Sequence, residues 1–260
     1  MNEENKRNYE VYLNKMEKAM QSKLFFLNYI DIDSYDYVVD FGCSNGELLS
    51  RLNISDSKKI GIDISKEMRE RFKSKLPNSH IFSNLIEVSN FLKSEKDKKI
   101  LLILSSVLHE IENEKDRLFI LMFIYKYVDT VCVRDMVKPD SNCDSFLYNK
   151  FKIINSVIKD SDSFVAYKWA VNRGKIDNLE DLSEYLLKMD YVENYDLEIN
   201  EHYFSADLES FQKALEKPEI ARPFETVHQR TYAIPPMVEK LTKYGLPYFR
   251  THMELIMKRI

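Results

Sequence analysis

The sequence has little of what marks cross-linked, fibrous or disordered proteins. Glycine and proline are scarce, at 5 and 7 of 260 residues, which excludes a collagen-like chain and disfavours a disordered one. The cysteines, Cys43, Cys132 and Cys143, are odd in number and form no C-x-x-C pair, so neither a disulfide framework nor a thiolate metal site is predicted. No metal is expected elsewhere, and these cysteines suit a reducing cytoplasm.

Long hydrophobic runs are also missing from the sequence. The most apolar segments, Ile100 to Leu108 and Leu118 to Tyr125, are much shorter than the roughly 20 residues that span a bilayer. The segment from Met1 to Arg7 lacks the apolar core of a secretory signal. With 44% apolar residues and a net charge of −4, the chain is predicted to be a cytoplasmic globular protein with no membrane partner and no global attraction to phosphate.

The first 140 residues alternate short apolar runs with helical patterns. The runs predicted as strands are Tyr37 to Phe41, Lys59 to Ile64, His80 to Ser83, Ile100 to Leu104 and Thr130 to Arg134. Apolar strands without polar alternation must be covered on both faces, as crossover helices cover a parallel sheet. This half of the chain is therefore predicted to be a doubly wound α/β unit.

The remaining segments are assigned around this unit. Residues 1–36 are predicted to form an N-terminal helical extension, with a helix from Tyr9 to Ile30, and residues 37–260 form the main domain. An aromatic helical insertion or cap is predicted at about 141–178. The rest is predicted as a strand with one polar face over 192–204, helices over 206–217 and from Pro235 to Gly245, and a C-terminal strand over 251–257.

Two glycines mark the turn after the first predicted strand. In the segment from Val38 to Leu49, Gly42 and Gly46 stand where backbone must approach a ligand closely. Asp63 ends the second strand, near the spacing at which a carboxylate accepts the ribose hydroxyls of a nucleoside. A dinucleotide fingerprint would place glycines at Asp40 and Asn45, and a carboxylate at position 40 would repel a pyrophosphate. The same carboxylate suits a cationic nucleoside.

These residues resemble the first motif of class I S-adenosylmethionine (SAM)-dependent methyltransferases, which runs acidic-x-G-x-G-x-G. Asp40, Gly42 and Gly46 match it, Ser44 stands at the middle glycine, and Asp63 matches the ribose position. The resemblance implies a Rossmann-like, seven-stranded, mostly parallel sheet with flanking helices, an N-terminal helix and an inserted helical cap. It also implies SAM as the cofactor.

The resemblance implies further cofactor contacts. Ile64 follows the ribose carboxylate, Asn84 follows the third strand near the adenine, and Ser105 follows the fourth strand beside the methionine moiety. The segment Ser105-Ser106-Val107-Leu108-His109-Glu110 looks like the fourth motif of members that act on small molecules. The segment that starts at Thr251 resembles the last strand of the family.

His109 and Glu110 are the predicted catalytic residues. A hydroxyl or ammonium acceptor needs a base, which a histidine at the carboxyl edge of the sheet supplies, while Glu110 orients the imidazole or holds a cationic substrate. The alternative is that both residues only begin the next helix, where the helix dipole favours acidic residues. For Arg134 and Asp135, after the fifth strand, an ion pair is favoured over catalysis.

The predicted function is methyl transfer from SAM to an O or N atom of a small molecule. An RNA or other nucleic-acid acceptor is the second possibility. The last 40 residues are mildly basic, for which a solvated surface is the default interpretation and a phosphate-bearing acceptor the alternative. A catalytically silent interaction module with this fold is the rival from another class, and a nicotinamide oxidoreductase is a distant third. The acceptor's identity and the oligomeric state are left open by the sequence.

Overall fold

A computed structural model of the chain describes residues 8–95, 97–111, 113–139, 144–219 and 221–260. Cys143 and the start of the predicted insertion, residues 141–143, lie outside these ranges. None of the helices in the described ranges is long and apolar enough to cross a membrane.

The strands of the described residues form one seven-stranded sheet. They are β1 (Tyr37–Phe41), β2 (Lys59–Ile62), β3 (His80–Phe82), β4 (Ile100–Ser105), β5 (Thr130–Met136), β6 (Phe224–Tyr232) and β7 (His252–Arg259). Their order in the sheet is β3-β2-β1-β4-β5-β7-β6. The first five strands pair in parallel, with Asp40 of β1 between Gly61 of β2 and Ile103 of β4. The predicted Rossmann-like, mostly parallel sheet is confirmed.

Helices connect and flank the strands. They are α1 (Tyr9–Phe25), α2 (Glu47–Ser50), α3 (Lys66–Lys75), α4 (Leu85–Leu92), α5 (Glu114–Tyr127), α6 (Asp144–Asp160), α7 (Ser163–Asn172), α8 (Leu179–Lys188), α9 (Tyr195–Glu198), α10 (Leu208–Glu216) and α11 (Pro235–Lys243). Polar side chains that accept backbone N–H groups begin several of them, such as Ser65 for α3 and Asn113 for α5. A short 3-10 helix, Leu108–Glu110, follows β4.

The chain divides into two compact units. The first, here the sheet unit, comprises Ala19–Asp135, Ala206–Arg230 and Met253–Ile260; the second, the helical unit, comprises residues 8–18, Met136–Ser205 and Thr231–His252. In the sheet unit, Phe26 and Leu27 pack with the buried faces of β1, β4 and β5. In the helical unit, Trp169, Tyr185 and Tyr195 anchor a separate core. The predicted boundaries at 36 and around 141–178 stay predictions.

The strand predicted over 192–204 is wrong. Residues Val192–Asn194 form a 3-10 turn and Tyr195–Glu198 form α9. Tyr195 and Ile199 are both buried in the helical unit, and their spacing of four residues fits a helical face as well as an alternating strand. Glu198 is buried too, on what would have been the polar face of the strand.

The sixth strand is β6 instead, at the edge of the sheet. Most of its residues are exposed or half-buried, so it carries no apolar run that would have indicated a strand. The C-terminal strand was predicted correctly as β7. Six consecutive residues from His252 to Met257 are buried, as expected of a strand covered on both faces.

Candidate functional site

The site begins at the turn that leaves β1. Gly42, Ser44 and Gly46 all have left-handed backbone, with φ of 76°, 49° and 78°. The N–H groups of Gly42 and Cys43 donate to the carbonyl of Ile62 at the end of β2, at 2.8 and 3.0 Å. The turn is therefore fixed to the carboxyl edge of two neighbouring strands, which is where open α/β sheets bind ligands.

Both motif glycines are required by packing as well as by backbone conformation. A Cβ atom at Gly42 would lie 2.7 Å from Cγ2 of Val107, and one at Gly46 would lie 2.5 Å from Cδ2 of Phe72. Phe72 is fully buried in the core of the sheet unit, so it has little room to move. The glycine turn thus packs against the loop that follows β4 on one side and against α3 on the other.

Asp63 joins the turn to the end of β2. Its Oδ2 accepts the N–H of Ser44 and its Oδ1 accepts the N–H of Ser65, both at 2.8 Å. The first bond compensates the left-handed conformation of Ser44, which explains how a serine replaces the glycine that the motif favours. A carboxylate has about four lone-pair positions, so each oxygen of Asp63 keeps one for a further donor such as a ribose hydroxyl.

Asp40, at the end of β1, is a buried carboxyl group with 3% of its surface exposed. Burial raises its pKa from 3.8 to about 7, the nearby charge of Asp63 raises it further, and the ammonium group of Lys23 on α1 opposes this. Lys23 is itself 5% exposed, and burial is the main cause that lowers its pKa from 10.5 to about 8. A buried acid and a buried base thus influence each other's charge near the end of β1.

This burial predicts a stability that depends on pH. The folded protein keeps a proton on Asp40 up to about pH 7, whereas the unfolded chain releases it near pH 3.8. The free energy of unfolding therefore falls as the pH rises between these values, by about 2 to 3 kcal/mol from pH 5 to pH 7.5. Urea unfolding of an Asp40→Asn variant should lack this part of the fall. The exposed matched control, Asp36→Asn, should keep it, and identical profiles for all three proteins would contradict the assignment.

The other predicted cofactor residues differ in their surroundings. Within the described residues, Ser105 Oγ is buried and has no hydrogen-bond partner in the protein. Ile64 is 91% exposed beside Asp63. Asn84 is the N-cap of α4, where its Oδ1 accepts the N–H groups of Ile86 and Glu87 at 3.0 and 3.1 Å. Asn84 therefore has a structural role, and an adenine contact by it stays a prediction.

His109 lies in the 3-10 helix after β4 and is almost completely buried. Its Nδ1 is 2.7 Å from Oδ1 of Asp135, which is fully buried near the end of β5. The other oxygen of Asp135 accepts the N–H groups of Val107, Leu108 and His109 at 2.8 to 3.3 Å. Asp135 thus fixes both the loop and the orientation of the imidazole ring. An ionised Asp135 requires the proton on Nδ1, which leaves the lone pair on Nε2.

Two acidic residues lie close to His109. Asp135 bonds to Nδ1 of the imidazole, and a carboxylate oxygen of the exposed Glu110 lies within 4.8 Å of a ring nitrogen, so the predicted role of Glu110 stays a prediction. Arg134 and Asp135 are successive residues of β5, so their side chains point to opposite faces of the sheet. Arg134 donates to the hydroxyl groups of Ser106 and Ser22, both at 3.0 Å. For Asp135, the sequence favoured an ion pair with Arg134 over a role in catalysis. Lys23 was not predicted as a site residue, because nothing in an amphipathic helix indicates that one of its lysines will be buried.

The sheet order and the glycine turn define a class of protein. The fold is that of the class I SAM-dependent methyltransferases, with the first motif at the switch from β1 to β4 and the acidic residue after β2. Sequence comparison finds no matching family model and no matching curated protein.

Solved structures support this fold. A SAM-dependent methyltransferase from Anabaena variabilis ATCC 29413 aligns with a TM-score of 0.51 at 16% identity, over 94% of this chain and 85% of that one. The plantazolicin methyltransferase BamL, in complex with a triazolic desmethylPZN analog and S-adenosylhomocysteine (SAH), aligns with a TM-score of 0.50 at 12% identity, over 96% and 89% of the two chains. At these identities the likeness concerns the fold.

Proposed function

We propose that this protein binds SAM at the glycine turn and transfers its methyl group to an O or N atom of a small molecule. The observation that carries the proposal is the buried bond between His109 and Asp135. It lies at the carboxyl edge of β4 and β5, next to the strand that carries the glycine turn. Methylation of a protonated acceptor needs a bound cofactor and an oriented base close to it. The glycine turn and His109 follow adjacent strands and would provide these two parts.

The residues of the turn fit a positively charged nucleoside. Asp40 is a buried carboxyl group whose ionised form, present above about pH 7, suits an ammonium group, and Asp63 retains acceptor positions for ribose hydroxyls. The unpartnered Oγ of Ser105, on the strand next to β1, gives a further buried polar contact for the cofactor's amino-acid part. Ile64 offers an exposed apolar side chain beside the sugar position. The presence of SAH in the BamL complex supports the same cofactor here.

The protein's own contribution to the reaction is positioning and proton transfer. When bound, SAM supplies a methyl group on a sulfonium: the acceptor's lone pair forms the new bond as the carbon–sulfur electrons return to sulfur, giving SAH. His109 Nε2 accepts the proton of the acceptor's hydroxyl or ammonium group. Asp135 holds the ring and stabilises the imidazolium that forms, as its carboxylate already bonds Nδ1. Glu110, exposed beside His109, contacts the acceptor.

Calorimetric titration with SAH tests the proposal. The wild-type protein should bind SAH, and NADH should give no heat. An Asp63→Ala variant should bind SAH about 10- to 100-fold more weakly, because it loses the ribose acceptor and the bond that holds Ser44. Asp36→Ala, which removes an exposed carboxylate next to Lys99, is the matched control and should bind like the wild type. Absence of SAH binding by the wild type would refute the proposal.

A further inference from the structure

Lys23 is a buried cation brought to the site by α1. Lysine is rarely buried unless its charge is balanced, yet only 5% of this side chain is exposed. The neighbouring Ser22 accepts a hydrogen bond from Arg134, which also bonds Ser106 after β4. These bonds tie this turn of α1 to the carboxyl ends of β4 and β5. Since the charges of Asp40, Asp135 and Glu110 all act on Lys23, its ammonium group lies near the same edge of the sheet as the glycine turn.

The charges around Lys23 come from three parts of the sheet unit. Asp40 faces it from β1, Arg134 and Asp135 from β5, and Glu110 from the 3-10 helix after β4. Its pKa of about 8 keeps Lys23 mostly charged at pH 7, although burial lowers the value. Between about pH 7, where Asp40 ionises, and about pH 8, where Lys23 loses its proton, the site thus presents a buried anion on β1 together with a buried cation on α1.

This pairing matches the chemistry of an amino acid. The methionine part of SAM carries an ammonium and a carboxylate on one carbon, so its binding site needs an anion and a cation close together. Asp40 supplies the anion. Of the two buried cations, Lys23 is the one whose charge acts on Asp40, and its compact ammonium stands on a flexible stem.

Resting on the proposed function, we propose that Lys23 binds the carboxylate of the cofactor's methionine part while Asp40 binds its ammonium group. Helix α1 then recognises the carboxylate end of the cofactor's methionine part. The same contact explains how a lysine can occupy a buried position. The protein's acids balance its charge before binding, and the ligand's carboxylate does so afterwards.

The test compares SAM with decarboxylated SAM, which keeps the ammonium group and lacks only the carboxylate. Calorimetry at pH 7.5, between the pKa values of Asp40 and Lys23, should show that the wild type prefers SAM by about 10- to 100-fold. In Lys23→Met this preference should fall to nearly one, and Lys23→Arg should restore part of it. Lys59→Met is the matched control. Lys59, the first residue of β2, is also buried in the sheet unit, but its Nζ lies 2.9 Å from Oδ1 of Asp56. This variant should keep the full preference.

The pH dependence gives a second readout. The preference of the wild type for SAM should decline above about pH 8, as Lys23 loses its proton, and that of Lys23→Arg should persist to higher pH. If Lys23→Met weakens both ligands equally, Lys23 acts only through the charge of Asp40 and the inference is wrong. A Lys23→Met variant that binds SAM more tightly also overturns it. A wild-type protein that binds neither ligand refutes the proposed function itself, before any variant is compared.

Discussion

Replacing His109 by alanine should lower kcat about 100- to 10,000-fold for a hydroxyl or ammonium acceptor, while the affinity for SAH changes little. The range is that of general-base catalysis, and His109 Nε2 is the atom that the bond to Asp135 leaves able to accept a proton. Asp135→Asn should lower kcat about 100-fold, because a neutral amide no longer stabilises the imidazolium or fixes the proton on Nδ1. The measurement is SAH release under saturating SAM.

A matched control separates catalysis from general damage. His228 of β6 is also in the sheet unit, and its ring stacks on Tyr29 with the centroids 4.1 Å apart. His228→Ala should leave kcat within about threefold of the wild type, as expected for a substitution outside the reacting groups. If His109→Ala retained full turnover with a protonated acceptor, the base would have to be another group and the role of Asp135 would be structural.

Replacing Gly46 by alanine should destabilise the protein by about 2 to 5 kcal/mol. The left-handed backbone at φ 78° costs an alanine about 1 to 2 kcal/mol, and the contact of the new Cβ with Phe72 adds about 1 to 3 kcal/mol of overpacking. Urea unfolding measures this loss. The displaced ring should also open the turn, so SAH affinity falls together with stability.

Gly174 provides the control for this prediction. It has nearly the same φ, 81°, but a Cβ there would find no atom within 4 Å. Gly174→Ala should therefore cost only the backbone part, about 1 to 2 kcal/mol. Equal losses in the two variants would mean that the contact with Phe72 does not constrain the turn.

The sequence predicts the parts of this protein that depend on local pattern. The strands β1, β4 and β5 are apolar runs that must be covered on both faces, and the two glycines after β1 have the spacing of a turn that needs left-handed backbone and close packing. By contrast, β6 is a polar edge strand without such a run, so it was missed. The segment over 192–204 was misassigned because a spacing of four residues serves a strand and a helix equally.

The site residues that the sequence predicts are those whose place depends on a single segment of the chain. Asp40, Gly42 and Asp63 can be found from their positions after strands. The bond between His109 and Asp135 depends on β4 and β5 being neighbours and on the loop bending over the end of β5, which spacing along the chain does not encode. The burial of Lys23 likewise depends on where α1 packs, through Ser22 and Arg134.

A crystal structure of the protein with SAH would test cofactor binding at the glycine turn most directly. The ribose hydroxyls should lie within hydrogen-bond distance of the Asp63 carboxylate, with the ammonium group beside Asp40. SAH seated elsewhere, with side chains filling the space above Gly42, would contradict the proposed function.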